Sequence, residues 1–578
     1  MQTYGNWDIQ EMPLSTPYFH NKVEHFLSCN GLRLEEVDLY IAVLDADGRI
    51  LAGGGLFKDI IKCIAVAPEA RSEGLATPLV SRLIAEASAR GFHHVKVFTK
   101  PENQAIFESL GFKRLAAAPQ AILMENGRGL DQYCSYLEAQ RRPGKNGVVI
   151  MNANPFSLGH LYLLQEAVKQ VDTLYVIPVM ENVSSFPYPE RKAMIHAAAP
   201  KGTVILEGSD YQISAATFPT YFLKDLSQAA RTQMQLDLDL FSRHIAPALE
   251  VSIRFVGSEP TDALTANYNT LMKELLPMEV VEIPRFALSG NHPVTASAVR
   301  ARLEAGDFAG ASALCPGSTW PYLLASLAER ALRMELDTPL KPGLVGPDSN
   351  GAHKDMDYST MQRGIAALRP YWSRMVLASS AGELQSLGIE AEKAMMAATG
   401  GVNTHRGAIF CLGLALNAFG REMEVYDNEK VTRKCLIGIA QTLLANQLKN
   451  SNLHFTPGSL KDARAMAAEG YQDLFKDWLP YLRKSAVSLP EESAHASKSV
   501  LQKTLLRIMS TLDDTCVIKR VGAERAHRVK EEARETLGSK DFNKDLNDLC
   551  DRFAAEGISP GGAADMLALT IFINSITN

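Results

Sequence analysis

Two stretches of this 578-residue chain hold residue types at spacings that could handle nucleotide phosphates. The first is the run from Met151 to His160, MNANPFSLGH, followed much later by Ser297 and Arg300 in a Ser-Ala-Val-Arg element. A strand ending in Asn-Pro-Phe-x-x-Gly-His delivers a helix start to the carboxyl edge of a sheet, where ligands bind in α/β proteins. Backbone N–H groups at such a start bind phosphate oxygens. His160 can donate to the charge that develops on an α-phosphate under attack, and Gly159 lets a nucleotide approach closely. Ser297 and Arg300, at a second helix start, can hold an outgoing pyrophosphate. Such transfer rests on positioning and charge, with little covalent work for the protein. A lone Gly-His is more often a helix start with a surface histidine; the later Ser and Arg shift that balance.

The second stretch is spread over the last 240 or so residues. Lys341, His353, Lys354, Asp355, Asp357, Asn403, Thr404, His405, Arg406, Arg464, Asp513, Asp514, Arg520 and Asp565 recur on or beside helical segments. Both signs of charge are present, as a polyphosphate site requires: carboxylates for Mg²⁺ and cations for phosphate oxygens. Asp355, Asp514 and Asp565 are the candidates for Mg²⁺ binding or general-base work. Any one of these residues alone reads as a surface charge or a helix cap. Ser559-Pro-Gly-Gly562 opens the final helix, with Asp565 in its first turn. Near the N-terminus, Arg71, Gly74 and Ala76 form Arg-x-x-Gly-x-Ala between a strand and a helix, and successive N–H groups of such a loop make an anion-binding concavity.

The elements that must position these groups follow from periodicity. Segments 38–44, 60–66 and 94–99 read as strands, 77–90 as an amphipathic helix stopped by Gly91, and 103–110 as a short helix closed by Gly111. Gly53 to Gly55 read as a turn. The polar Gln140–Gly147 stretch reads as a linker. Beyond it, strands at 148–151, 174–179, 203–206, 253–256 and 279–283 alternate with helices, the pattern of a parallel α/β sheet. From Trp320 onward the periodicity is helical, as at 322–334, 499–512 and 523–537. The fold class is therefore multidomain: two α/β domains and a C-terminal all-α domain, with boundaries placed at 1–140, 141–318 and 319–578.

The formal net charge of −6 and pI near 6.2 argue against a general nucleic-acid binder. None of the eight cysteines forms a CxxC pair, so reduced and mostly buried thiols are expected. The first residues lack a basic start and an apolar core, so no signal peptide is read, and no stretch reaches the ~18 apolar residues of a membrane span. The run 409–419 reads as a buried helix, and a cytoplasmic protein is expected.

The segments MNANPFSLGHLYLLQEA (151–167), SSFPYPERKAMI (184–195), TFPTYFLKD (217–225), VGSEPTDALTANYNTLMKELLP (256–277) and HPVTASAVRARL (292–303) resemble the citrate lyase ligase family. With the N-terminal domain the resemblance spans roughly the first 320 residues. It implies a central HxGH nucleotidyltransferase domain on a Rossmann-like parallel sheet. It implies that acetate and ATP give acetyl-adenylate and pyrophosphate. The acetyl group then passes, with release of AMP, to the prosthetic-arm thiol of the citrate lyase acyl carrier. Asn154, Ser157 and His160 would contact phosphates, and Ser297 and Arg300 the pyrophosphate. Arg191 and Lys192 would meet a phosphate or the carrier, and Gly257, Glu259 and Asn269 the adenosine side. Ser157 stands where that superfamily usually has Thr or His.

Arg71 to Ala76 and NQAIFESLGF (103–112) resemble the pyrophosphate loop and closing helix of GNAT acetyltransferases. Phe107 lies in the neighbourhood where many of those enzymes carry a tyrosine acid. That favours a binding role, for the CoA-like arm of the carrier, over independent acetyl transfer; a purely structural domain is the plainer reading.

LKPGLV (340–345), NGAHKDM (350–356), GVNTHRGAIFCLGLAL (401–416) and ISPGGAADMLALT (558–570) resemble the triphosphoribosyl-dephospho-CoA synthase family. The resemblance implies that ATP and dephospho-CoA give the triphosphoribosyl product and free adenine, through an oxocarbenium-like state that nearby carboxylates assist. Gly346, Met466 and Cys516 stand where the family has Asp, Glu and Asn, and Arg406 where it has Lys. Loss of metal ligands at those positions would weaken this half unless Asp348 or Glu469 compensates. Together the halves imply a bifunctional enzyme of citrate lyase maturation, using ATP and Mg²⁺, with the acyl carrier, acetate and dephospho-CoA as partners and no nucleic acid or membrane. The rivals are a pantetheine-phosphate adenylyltransferase-like enzyme and a carrier-binding protein with an inactive C-terminal domain.

Overall fold

Seven strands near the N-terminus pair in the order β1-β2-β3-β4-β5-β7-β6 in the computed structural model, which describes residues 7–180, 184–213, 218–223, 228–259, 262–288, 292–421, 438, 463–487 and 494–577. They are β1 (Asp8–Glu11), β2 (Leu39–Leu44), β3 (Ile50–Phe57), β4 (Ile60–Val66), β5 (Val95–Thr99), β6 (Lys113–Ala117) and β7 (Ile122–Asn126). Helices α1 (Pro17–Cys29), α2 (Ala76–Ala89), α3 (Gln104–Ser109) and α4 (Gly129–Gln140) complete this region. Only β4 and β5 run parallel, and they pair at just two positions, Ile60 with Lys96 and Ile61 with Val97, before diverging. Gly53, Gly54 and Gly55 do not form the expected turn; they lie inside β3. Packing is the reason: a Cβ on Gly53 would sit 2.5 Å from the Tyr40 hydroxyl, and one on Gly55 2.5 Å from Val37.

The second sheet has five parallel strands, β8 (Asn146–Met151), β9 (Thr173–Pro178), β10 (Thr203–Ile205), β11 (Val251–Gly257) and β12 (Glu279–Ile283), in the order β10-β9-β8-β11-β12. The strand order reverses between β8 and β11. That reversal is the switch point at which open α/β sheets leave a crevice beyond their strand ends. Between the strands lie α5 (Leu158–Val168), α6 (Tyr188–Ala198), α7 (Ala229–Leu240), α8 (Ala246–Leu249) and α9 (Ala263–Leu275). A two-stranded hairpin, β13 (Ala287–Leu288) with β14 (His292–Pro293), follows. One continuous apolar core runs from Met12 through Leu276, so both sheets share it. The expected linker is short and fastened: Asn146 donates to the carbonyls of Arg142 and Leu249, and Arg142 N–H donates to the Tyr175 hydroxyl at 2.6 Å. At this seam Lys96, 3% exposed, lies 2.8 Å from Asp59 and 2.5 Å from Asp210.

By internal packing the chain divides into two units, Met1–Val294 and Thr295–Asn578. The second contains, among its described residues, only helices: α10 (Ala296–Glu304), α11 (Phe308–Ser312), α12 (Trp320–Leu336), α13 (Tyr358–Leu377), α14 (Ala381–Ala398), α15 (Arg406–Arg421), α16 (Ala463–Ala468), α17 (Leu479–Val487), α18 (Ala494–Met509), α19 (Thr515–Leu537), α20 (Phe542–Glu556) and α21 (Gly561–Thr577), with short 3₁₀ and π turns. The division falls before the boundary placed at residue 318 because α11 packs on α12 and α21. The last helix is buried on nearly every face, as a helix apolar all round must be, and α12, α15 and α18 pack around it. Gly522, at φ +82, breaks α19, which is why helical periodicity resumes at residue 523 in the sequence.

No helix among the described residues is long and apolar enough to cross a membrane. The described cysteines are free but not mostly buried: Cys29 and Cys516 are exposed, Cys134 and Cys550 half-buried. Cys435 lies outside the described residues, as do positions 217, 224–225 and 260–261 of the segments singled out above.

Candidate active sites

At the end of β8 the chain turns through Ala153, at φ +49, into α5. Ser157 and His160 form a capping box at that helix start. The Ser157 N–H donates to His160 Nδ1 at 3.0 Å, and the Ser157 hydroxyl lies 3.0 Å from the same nitrogen. His160 stacks on Phe156 with ring centroids 5.6 Å apart. Burial, with the charge of Arg285, pushes its imidazole down to about 4. The ring is therefore neutral at neutral pH, with its proton on Nε2, an uncharged donor at a helix N-terminus. Ser157 is 1% exposed and engaged in the cap, where it orients His160.

Other expected contacts take different roles. Gly159 makes room for protein: a Cβ there would sit 2.6 Å from the Val294 carbonyl oxygen. Asn154 accepts the Phe186 N–H at 3.0 Å and fixes the loop before α6. Arg191 is fully buried, and its guanidinium donates to the carbonyls of Phe186, Asn152 and Val179 at 2.7–2.9 Å. These bonds tie the loop to the ends of β8 and β9, so Arg191 organises the site from behind. Lys192 pairs with Glu207. Asn269 donates to the Gly257 carbonyl at 2.9 Å and holds the end of β11. Glu259 pairs with Arg285, whose Nε donates to the Ser258 carbonyl at 2.7 Å. Arg285 was not singled out in the sequence, because it sits in no motif. Ser297 and Arg300 lie on α10, the first helix of the second unit, where Thr295 caps by accepting the Ala298 N–H at 3.0 Å.

In the N-terminal region Arg71 and Gly74, the latter at φ +72, precede Ala76 at the start of α2, as the loop motif predicts. The opening between β4 and β5 is filled, however. Tyr221, buried at 4% exposure, donates to the Phe98 carbonyl on β5 at 3.5 Å, and its oxygen is bonded by the backbone at Cys63 and Ile64 on β4. Cys63 has φ +54, at an irregularity in the β3–β4 register. Arg33 donates to the Thr220 carbonyl and Phe218 packs edge-on against Phe98. The segment 218–223 thus fills the opening between β4 and β5.

In the second unit a cavity of about 210 Å³ is lined by His353, Asn403, Thr404, His405, Arg406, Arg520 and Asp565, together with Glu335, Cys516 and Ser559. Three helix starts meet at this wall. Asp514 joins two of them: its Oδ1 accepts the Cys516 N–H of α19 at 2.8 Å and its Oδ2 the Ala563 N–H of α21 at 2.9 Å. Asp565 joins the third by accepting the Ala408 N–H of α15. Helix N-termini carry partial positive charge, so their convergence favours a polyanion. Burial and the nearby Asp514 and Glu335 raise the Asp565 carboxyl well above its ordinary value. His353 Nε2 lies 2.8 Å from the Ser559 hydroxyl. His405 is 3% exposed and held down at about 3 by burial and Lys341; its Nδ1 lies 2.8 Å from the Thr404 hydroxyl.

Several expected residues are not in this wall. Lys341, 4% exposed, donates to the Glu335 carboxylate at 2.5 Å and to its carbonyl at 2.7 Å, so it balances a buried charge. Asp355 is an exposed side chain 3.6 Å from His353 Nδ1. Arg464 lines a neighbouring cavity. Asp357 caps α13 by accepting the Thr360 N–H. Asp355, Asp514 and Asp565 do not form a three-carboxylate cage: among the described residues, the one group of three ligand atoms within 4.8 Å is Asp59, His94 and Asp210. Its two carboxylates already pair with the ammonium of Lys96. Of the positions departing from the family pattern, Cys516 and Arg406 line the cavity, whereas Gly346 and Met466 do not, nor do Asp348 and Glu469, the residues expected to compensate.

Three family models match the chain: the acetyltransferase (GNAT) family over residues 6–112, the citrate lyase ligase C-terminal domain over 146–323, and ATP:dephospho-CoA triphosphoribosyl transferase over 321–578. The [citrate [pro-3S]-lyase] ligase of Klebsiella pneumoniae is 39% identical over 320 residues, covering 53% of this chain and 93% of that protein. That of Escherichia coli is 39% identical over 317 residues, covering 52% and 89%. The 2-(5''-triphosphoribosyl)-3'-dephosphocoenzyme-A synthase of Pectobacterium atrosepticum is 32% identical over 274 residues, covering 43% of this chain and 88% of that protein.

Proposed function

We infer two activities from a single premise: the chain belongs to the citrate lyase ligase family through its N-terminal half and to the triphosphoribosyl-dephospho-CoA synthase family through its C-terminal half. It is a bifunctional enzyme of citrate lyase maturation. Its domains are read as 1–140, 141–318 and 319–578, the middle one an HxGH nucleotidyltransferase, and its place as the cytoplasm.

In the first activity an acetate oxygen attacks the α-phosphorus of ATP. The bond to the bridging oxygen breaks, and pyrophosphate leaves with the electron pair. The carrier thiol then attacks the acetyl carbonyl, AMP departs, and the thiol proton is released. His160, neutral and donating from Nε2, faces the phosphate whose charge grows; a donor aimed at developing charge is worth about 10²–10³ in rate. Arg285 supplies the cation beside it; for Ser297 and Arg300 the family resemblance alone supports a role toward pyrophosphate. The observation that carries this reading is the Ser157–His160 capping box at the end of β8, beside the switch point.

In the second activity the ribose hydroxyl of dephospho-CoA forms a bond to C1′ of ATP. The C1′–N9 bond breaks with its electrons going to adenine, which finally carries the hydroxyl proton. The three helix starts, with His353, Arg406 and Arg520, receive the triphosphate. Mg²⁺ keeps its waters and takes one or two carboxylates plus substrate phosphates: Asp565, the carboxylate that lines the cavity beside Glu335, would hold it. Bound there, the ion neutralises phosphate charge. Asp514 spends both oxygens on backbone N–H groups and positions the helix starts. Because Gly346 and Met466 lie outside the wall, their substitution does not support an inactive C-terminal half.

The N-terminal domain serves as a scaffold, as Phe107 and the Tyr221-filled opening support. The deciding experiment incubates the purified chain with ATP, Mg²⁺ and dephospho-CoA and measures adenine by chromatography, in parallel with acetate-dependent pyrophosphate release. Adenine with a matching triphosphoribosyl product is expected. Pyrophosphate without adenine would reduce the protein to its ligase half, and pyrophosphate independent of acetate would favour an adenylyltransferase.

A further inference from the structure

Arg406 and Gly407 wall two cavities at once. One is the polar cavity of about 210 Å³ described above. The other, about 520 Å³, lies where α14 and α15 meet the start of α19. Its lining is apolar along Leu384, Ile389, Phe410 and Leu414, and it carries Arg464 and Lys519. Ile389 is 49% exposed. Lys519 is exposed as well. The wall between the cavities is thin by necessity: a Cβ on Gly407 would lie 1.8 Å from Asp565 Oδ2.

The two nucleotides that react differ in a way that matches the two cavities. ATP has a triphosphate and no apolar arm. Dephospho-CoA has a diphosphate and a long pantetheine arm. The cavity at three helix starts suits the first, and the larger cavity with an apolar lining and separate cations suits the second. We propose that the larger cavity is the dephospho-CoA subsite, so that the two nucleotides enter on opposite sides of Arg406–Gly407 and react at its edge beside Asp565. This rests on the synthase reading of the C-terminal half. The bond changes are those given above: hydroxyl oxygen to C1′, C1′–N9 broken, electron pair and finally the proton to adenine.

Gly388 provides a clean test. It lines the larger cavity, and a Cβ there would meet nothing within 4 Å, so Gly388→Phe puts a ring into open space. The KM for dephospho-CoA should rise about tenfold or more while that for ATP stays within about twofold. Lys519→Glu, at an exposed position where folding is not at stake, should raise the dephospho-CoA KM several-fold, with the effect shrinking at high salt. Arg520→Glu should do the reverse and act on ATP. Calorimetry of the full chain with dephospho-CoA alone gives a readout independent of turnover, and binding should weaken in Gly388→Phe and Lys519→Glu. An unchanged dephospho-CoA KM and unchanged binding in both variants, or an equal rise for ATP, overturns the subsite. A wild-type chain that binds dephospho-CoA in the larger cavity yet releases no adenine would leave the subsite standing and overturn the synthase reading instead.

Discussion

The Ser157 N–H donates to Nδ1 of His160 at 3.0 Å, and this bond decides which imidazole nitrogen carries the proton. With Nδ1 accepting, Nε2–H is left as the donor, and burial keeps the ring uncharged down to about 4. His160→Ala should lower acetate-dependent pyrophosphate release by about 10²–10³-fold while leaving adenine release unchanged. The wild-type pH profile of pyrophosphate release should show no acid limb from this group above about pH 5. Arg285→Met removes the charge that helps depress it, so an acid limb should move upward. An unchanged profile in that variant would separate Arg285 from His160.

The same shift makes a stability prediction. His160 at about 4 and His405 at about 3 both lie below the ordinary 6.5 of the unfolded chain. Between those values the unfolded state binds more protons, so the stabilisation is present above pH 6.5 and is lost as pH falls towards 4 and 3. Each histidine contributes a slope of at most about 1.4 kcal/mol per pH unit in its window. Urea midpoints followed from pH 7 to pH 5 should fall for the wild type and fall less for His405→Leu. Equal slopes would mean that His405 is hydrated and titrates normally.

Two glycines should divide the activities between them. Gly159→Ala drives a methyl against the Val294 carbonyl, and Gly407→Ala drives one against the Asp565 carboxylate. Displacements near 1 Å at a site reduce turnover about 10²-fold. Gly159→Ala should therefore lose pyrophosphate release and keep adenine release, and Gly407→Ala the reverse. Loss of both activities in either variant would show that the two sites depend on one another.

Much of this was legible in the sequence because it was local. Strand and helix periodicity placed the two α/β regions and the helical end, and Gly-His and Pro-Gly-Gly marked helix starts. What was not legible depended on contacts far apart in the chain. Arg191 and Lys341 look like phosphate ligands until their partners are known: backbone carbonyls for one and Glu335 for the other. Gly53 to Gly55 look like a turn until Tyr40 and Val37 are seen to need the space. Arg285 and Tyr221 sit in no phosphate motif, and only the fold brings them to His160 and to the β4–β5 opening.

Tyr221 predicts what the N-terminal domain does not do. Its hydroxyl joins β4 and β5 where they diverge, so Tyr221→Phe leaves buried backbone groups without a partner. A stability loss of about 1–3 kcal/mol is expected from urea unfolding. Acetyl-CoA should give no saturable heat with the wild type, and no acetyl transfer to amines should occur. Saturable binding that Tyr221→Ala leaves unchanged would place a CoA site elsewhere in the domain.

Lys341 separates a structural cation from a phosphate ligand. It and Glu335 are both nearly inaccessible and lie 2.5 Å apart. Removing one partner of a buried pair leaves an uncompensated charge and destabilises by about 3–5 kcal/mol, whereas replacing both with apolar residues is often neutral. Lys341→Met should therefore unfold the C-terminal unit at lower urea and abolish adenine release. The double variant Lys341→Met with Glu335→Leu should recover stability and much of the adenine release, because the helix starts around the cavity would be restored. If Lys341 instead binds the triphosphate, the double variant would regain its fold but keep a raised KM for ATP. The ATP dependence of adenine release in the double variant thus tells the two roles apart.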